Sequence, residues 1–172
     1  MASRQVPPSD GHCGVLYTHT FRSPLPFLQG PMHLHPVPAF SDNYIWVLHD
    51  GARALVVDPG EADGVAAWLQ QNGLRLDTIL ITHHHPDHTG GVAALREATG
   101  ARVFGPAAEN LPRPFDGVAG GDRLDLLGLP FDVLDVPGHT AGHVAYCAPD
   151  VDGRPLLFCG CLLYTSDAAD ER

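Results

Sequence analysis

Residues 77–91, DTILITHHHPDHTGG, decide the fold. The opening DTILIT (77–82) is an apolar run of strand length, and GVAALREATG (91–100) carries its apolar residues at helical spacing and closes on a glycine stop. Four histidines and an aspartate stand within residues 83–88, between that strand and that helix. Side chains in such a segment project from a loop at the carboxyl end of a strand, where open α/β sheets place their ligand sites.

Outward from this segment the same alternation continues. RALVVD (53–58) reads as a strand closed by Pro59-Gly60, and EADGVAAWLQQNG (61–73) sets Val65, Trp68 and Leu69 on one helical stripe before Gly73. ARVFG (101–105) supplies a further strand, whereas RLDLLGLPFDVLDVPG (123–138), HVAYCAP (143–149) and PLLFCG (155–160) are nearly all strand. Upstream, MHLHPVPAF (32–40) and NYIWVLH (43–49) read as two short strands around the turn-prone Ser41-Asp42-Asn43. Strands alternating with helices call for an α/β layered fold, and the expectation is a mixed sheet with helices on its outer faces.

Composition narrows the function classes. The chain has 172 residues, enough for one domain with a sizeable core, and its net charge of −10 argues against a phosphate-backbone surface, so nucleic acid is not an expected partner. No stretch approaches the ~18 apolar residues that cross a bilayer, and no secretory signal opens the chain. Cys13, Cys147, Cys159 and Cys161 form no CxxC pair and read as reduced thiols. A soluble, cytoplasmic, monomeric protein is expected. Residues 1–31 carry five prolines and no sustained period, which predicts a disordered leader; Met32 is a candidate start because the resemblance described below also begins there.

Eleven histidines are the outstanding feature. In extended backbone, residues two apart share a face, so His83 and His85 can bind one ion together while His84 points elsewhere. Asp87 and His88 lie at the helix entrance and can turn toward a second ion. A carboxylate with several imidazoles suits zinc, iron or manganese, and two ions about 3.5–4 Å apart can hold a bridging hydroxide as nucleophile. A second turn at a strand end, VPGHTAGH (136–143), delivers His139 to complete the first three-histidine set, while His143 reads as a packing residue. A merely polar loop or a purification tag is the competing reading of the histidine run, but a tag would not sit between a buried strand and a helix.

The pattern His83-x-His85-x-Asp87-His88, followed by the turn at His139, resembles the metallo-β-lactamase superfamily. The resemblance implies an αββα sandwich of two mixed sheets packed between helices. Within that superfamily, PAFSDNYIWVL (38–48) and THHHPDHTGG (82–91) are similar to glyoxalase II, over about residues 32–160. That likeness implies hydrolysis of the glutathione thioester S-D-lactoylglutathione to D-lactate and glutathione, with two divalent cations, zinc first and iron or manganese as alternatives. It further implies that His83, His85 and His139 hold one cation, that Asp87 and His88 hold the other, and that Asp87 orients the attacking hydroxide as the catalytic carboxylate. Another superfamily branch, such as a persulfide dioxygenase or a lactonase, is the rival activity, and a non-catalytic metal-binding remnant is the rival class.

Two departures from the family stand out. Pro86 occupies a position where tryptophan is more frequent, which matters little because that side chain is no ligand. More consequentially, LLFCG (156–160) runs into Cys161 where the family continues with an aspartate that bridges both cations. A thiolate is a conceivable soft ligand, although it lacks the second oxygen that lets a carboxylate bridge. The tail CLLYTSDAADER (161–172) resembles the translation of sequencing-adaptor read-through. The expected organisation is therefore a leader (1–31), the first part of a catalytic domain (32–160) and an artefactual tail (161–172), with the fold incomplete at its C-terminus and the fragment inactive.

Overall fold

The computed structural model describes residues 30–41 and 43–161. The expected leader and tail fall outside the described residues apart from Gly30, Pro31 and Cys161, and so does Asp42 of the first turn. Strands β1 (His33–Ala39) and β2 (Asn43–His49) form an antiparallel hairpin, and β3 (Arg53–Val57) adds to β2 antiparallel. Helix α1 (Asp63–Gln71) then returns the chain so that β4 (Arg75–Leu80) lies parallel to β3. The crossover from β4 contains a short helix α2 (Pro86–Thr89) and then α3 (Val92–Thr99), and it leads to β5 (Arg102–Pro106), parallel to β4. Proline at the first helical position explains the unexpected α2, since its fixed φ suits a helix start. With β6 (Asp116–Val118) this sheet has six strands in the order β1-β2-β3-β4-β5-β6.

The rest of the described chain builds a second sheet. Its strands β7 (Arg123–Leu126), β8 (Leu129–Asp135), β9 (Val144–Val151) and β10 (Arg154–Phe158) lie in the order β10-β9-β8-β7, each pair antiparallel. The six-stranded sheet is mixed, as expected, and the four described strands of its partner run antiparallel.

Two apolar layers hold this together. Val65 and Leu69 of α1, with Val92 and Leu95 of α3, pack on Val47, Val56, Ile79 and Ile81 on one face of the larger sheet. Leu55, Val57, Leu80 and Phe104 on its other face meet Phe131, Val133, Tyr146 and Phe158 of the second sheet. Fully burying one such side chain stabilises the fold by roughly 1.5–3 kcal/mol. Within the inter-sheet layer the Tyr146 hydroxyl donates to the carbonyl of Ile81 at 2.9 Å, and Val144 N donates to that of Thr82 at 3.0 Å. These two bonds pin β9 to the strand end that precedes His83. On the outer face of the second sheet Leu134 and Leu157 are exposed, and no helix among the described residues covers them.

The topology gathers five loops at one edge: those after β3, β4, β5, β8 and β10. The first two approach so closely that a side chain at Gly60 would collide with the carbonyl of Asp87, and one at Gly90 with that of Gly60. Glycine is required there because backbone meets backbone.

Candidate metal centre

His83 leaves β4 fully buried, and its hydrogen bonds fix which nitrogen is free. The Thr82 hydroxyl donates to Asp58 Oδ2 at 2.7 Å, so its oxygen accepts from the His83 ring at Nδ1, 3.0 Å away. The proton therefore sits on Nδ1, and Nε2 carries a bare lone pair. That Nε2 is buried without a partner. Asp58 is itself buried just beyond β3 and also accepts from Thr82 N at 2.7 Å, so both its oxygens orient this loop.

His88, in α2, also faces Asp58, but through a charge contact rather than a hydrogen bond. Its Nδ1 lies 3.2 Å from Asp58 Oδ2, off the line of a well-aligned hydrogen bond. The far nitrogen, Nε2, stands 3.4 Å from Asp87 Oδ2 and 3.2 Å from the Sγ of Cys161. Asp87 is in turn tethered by Asn43, whose side-chain amide donates to Oδ2 at 3.1 Å.

His139, on the β8–β9 turn, turns its Nε2 to within 3.0 Å of His85 Nδ1. The His83 ring is 4.8 Å from each of these two rings and 4.2 Å from that of His88, so it sits centrally. Cys161 lies between the sets: ligand atoms of His83, His139 and Cys161 are all within 4.8 Å of one another, as are those of Asp58, His83 and His88. The five residues singled out from the sequence thus converge, and Cys161 joins them. His84 points away, its Nδ1 paired with Glu109. His143 is buried with its ring 4.8 Å from that of His83, and both its nitrogens lack a partner.

Burial favours the neutral imidazole at His83 and His143. Burial pushes the pKa of His83 down to about 2, with help from the charges His88, His143, His139 and His85 would carry. His143 is lowered, again chiefly by burial. For His88 burial pulls downward, but the contact with Asp58 and the charge of Asp87 outweigh it and the net shift is upward. Burial would raise Asp87, yet the Asn43 bond and the neighbouring His88 bring it below its ordinary value, so it stays ionised. Burial and the nearby carboxylates Asp87 and Asp58 raise the Cys161 thiol.

These residues fit divalent cations. Zinc–nitrogen bonds of about 2.0–2.1 Å in a tetrahedron place neighbouring donors about 3.3 Å apart. The separations of 3.0 Å between His139 Nε2 and His85 Nδ1 and 3.4 Å between His88 Nε2 and Asp87 Oδ2 are close to that edge, and the orphaned Nε2 of His83 is a buried donor whose desolvation a cation would offset.

Four residues of the site escaped sequence reading: Asp58, Thr82, Asn43 and Glu109. A carboxylate ending the apolar strand RALVVD was the available signal for Asp58, since an acid there needs a buried partner. Nothing local marks the other three.

Comparison with known proteins is consistent with this geometry. The profile of the Metallo-beta-lactamase superfamily matches residues 39–171. The hydroxyacylglutathione hydrolase of Albidiferax ferrireducens is 64% identical over 135 residues, which cover 78% of this chain and 53% of that protein. The protein of the same name from Pseudomonas aeruginosa is 51% identical over 138 residues, with the same coverage of each chain. Among solved structures, ETHE1 from Myxococcus xanthus is similar at 31% identity and a TM-score of 0.54, covering 66% of this chain and 52% of its own. The chain spans about half the length of the curated relatives it matches.

Proposed function

Because the chain belongs to the metallo-β-lactamase superfamily, we propose that the protein is a metal-dependent thioester hydrolase of the glyoxalase II kind, converting S-D-lactoylglutathione to D-lactate and glutathione. The observation that carries the reading is the 64% identity to a protein named hydroxyacylglutathione hydrolase. His83, His85 and His139 would hold one cation and Asp87 with His88 the other, with zinc favoured by the nitrogen-rich donor set. Such cations supply hydroxide at neutral pH and draw charge from a carbonyl oxygen.

The chain's own groups do the rest. Asp87, ionised and tethered through Oδ2 by Asn43, is the acceptor that would orient the attacking oxygen. Thr82 and Asp58 keep the lone pairs of His83 and His88 turned inward, so no ring has to reorganise as charge develops. A thiolate leaves readily, which removes the need for a serine or cysteine nucleophile. No helix among the described residues is long and apolar enough to cross a membrane, and Cys147, Cys159 and Cys161 are free thiols. Free thiols fit a reducing cytoplasm, which with a monomeric state is the reading proposed.

The test is to extend the chain to the length of its relatives, with aspartate at position 161, and to assay release of glutathione from S-D-lactoylglutathione. Turnover that vanishes in His85→Ala is expected. An extended protein that is folded and metal-loaded but leaves the thioester intact would refute the reading.

A further inference from the structure

Glu109 is a buried carboxylate that the chemistry above does not use. Its side chain is only 4% exposed, although it stands on the loop after β5, where acidic residues ordinarily face water. One oxygen, Oε1, accepts from the Thr140 hydroxyl at 2.7 Å and from Gly142 N at 2.8 Å; the other, Oε2, pairs with His84 Nδ1. Its own turn is fixed by Ala107 N to Val118 O at 2.9 Å and Glu109 N to Pro106 O at 3.1 Å.

The partners are what give the arrangement meaning. Thr140 is the residue after His139, and His84 lies between His83 and His85. One carboxylate therefore ties the loop carrying the paired histidines to the loop carrying the third. The fit is tight: a side chain on Gly142 would come within 2.8 Å of the Glu109 Cγ. We infer that Glu109 is a positioning residue for metal binding, setting the separation between His139 and the His83/His85 pair. The role rests on the metal centre proposed above. It acts through geometry, by spanning two loops that no backbone ladder joins directly at His139.

The two substitutions that separate geometry from bulk are Glu109→Ala and Glu109→Gln. Alanine removes all three bonds. Glutamine keeps an oxygen for Thr140 and Gly142 and offers an amide to His84 Nδ1, so the geometry survives while the charge is lost. The measurement is zinc affinity of the full chain by competition with a chromophoric chelator, with cobalt absorption reporting ligand geometry and metal-free thermal unfolding as the control for folding. Thr140→Val, which deletes one of the two bonds on the His139 side and leaves that of Gly142 N, serves should Glu109→Ala fail to fold.

The expected result is a loss of roughly 10–100-fold in zinc affinity for Glu109→Ala, a smaller loss for Thr140→Val, altered cobalt spectra in both, and near-parental affinity for Glu109→Gln. Affinity unchanged in Glu109→Ala, or a glutamine variant as impaired as the alanine one, would overturn the positioning role while leaving the metal centre intact. A parent chain that binds no metal would overturn both.

Discussion

The carboxylate of Asp58 lies 3.2 Å from Nδ1 of His88, and the opposite nitrogen of that ring faces both Asp87 and Cys161. Asp58 thus acts on two histidines at once: directly on His88 and, through the Thr82 hydroxyl, on His83. The same residue adopts a left-handed backbone at φ 52°, a conformation that aspartate and asparagine enter more readily than most side chains, and its oxygens face Thr82 and His88 from there.

Replacing Asp58 by asparagine tests that double role. Asparagine tolerates the backbone conformation but presents one acceptor oxygen where two are used, so either Thr82 N or Thr82 Oγ1 loses its partner. A stability loss of about 1–3 kcal/mol is expected from the unsatisfied buried group, together with a fall of roughly 10–100-fold in zinc affinity. Denaturant titration and chelator competition measure the two effects. Unchanged zinc affinity would show that Asp58 supports only the fold.

The pH dependence of the metal-free protein follows from its histidines. His83 in the fold titrates near pH 2 against an ordinary value of 6.5, and His143 is also lowered. Below pH 6.5 the unfolded chain takes up protons that these buried rings refuse. His83 costs the fold up to about 1.4 kcal/mol per pH unit as the pH drops from 6.5 toward 2, and His143, also lowered by burial, acts in the same direction. His88 is shifted the other way, so its contribution is complete below 6.5 and is lost as the pH rises through its folded pKa. Stability measured by urea unfolding with chelator present should therefore peak near pH 6.5 and fall on acidification to pH 5. A flat profile over that window would contradict the burial of neutral rings.

Cys161 offers a prediction about stoichiometry. Its sulfur lies between the two donor sets, but a thiolate supplies one atom where a carboxylate supplies two. The chain as it stands should hold about one zinc ion tightly, and Cys161→Asp should move the count toward two. Cobalt in the parent chain should show thiolate charge-transfer absorption that Cys161→Ala abolishes. Identical metal counts in both chains, with no sulfur band, would remove Cys161 from the site.

How much of this was legible beforehand differs between backbone and site. The strands around residues 53–58 and 77–82 and the helices after them could be read because their apolar residues recur at the period of one element, and the histidines followed because they stand at a strand's end. His139 was legible for the same reason. Asp58, Asn43 and Glu109 were not, because their partners lie 24, 44 and 25 to 33 residues away in sequence. Only the register of β3 beside β4 reveals that Asp58 faces Thr82, and only the meeting of the two sheets brings residue 109 to residue 140. The expected leader was not open to comparison, since residues 1–29 lie outside the described part.

The most direct measurement is elemental analysis of the purified full chain after incubation with zinc, iron or manganese at neutral pH and removal of the excess, beside His83→Ala and His139→Ala variants. The account predicts bound metal in the parent and its loss in both variants, with the variants still folded by circular dichroism. A folded parent chain that retains none of the three metals would contradict it.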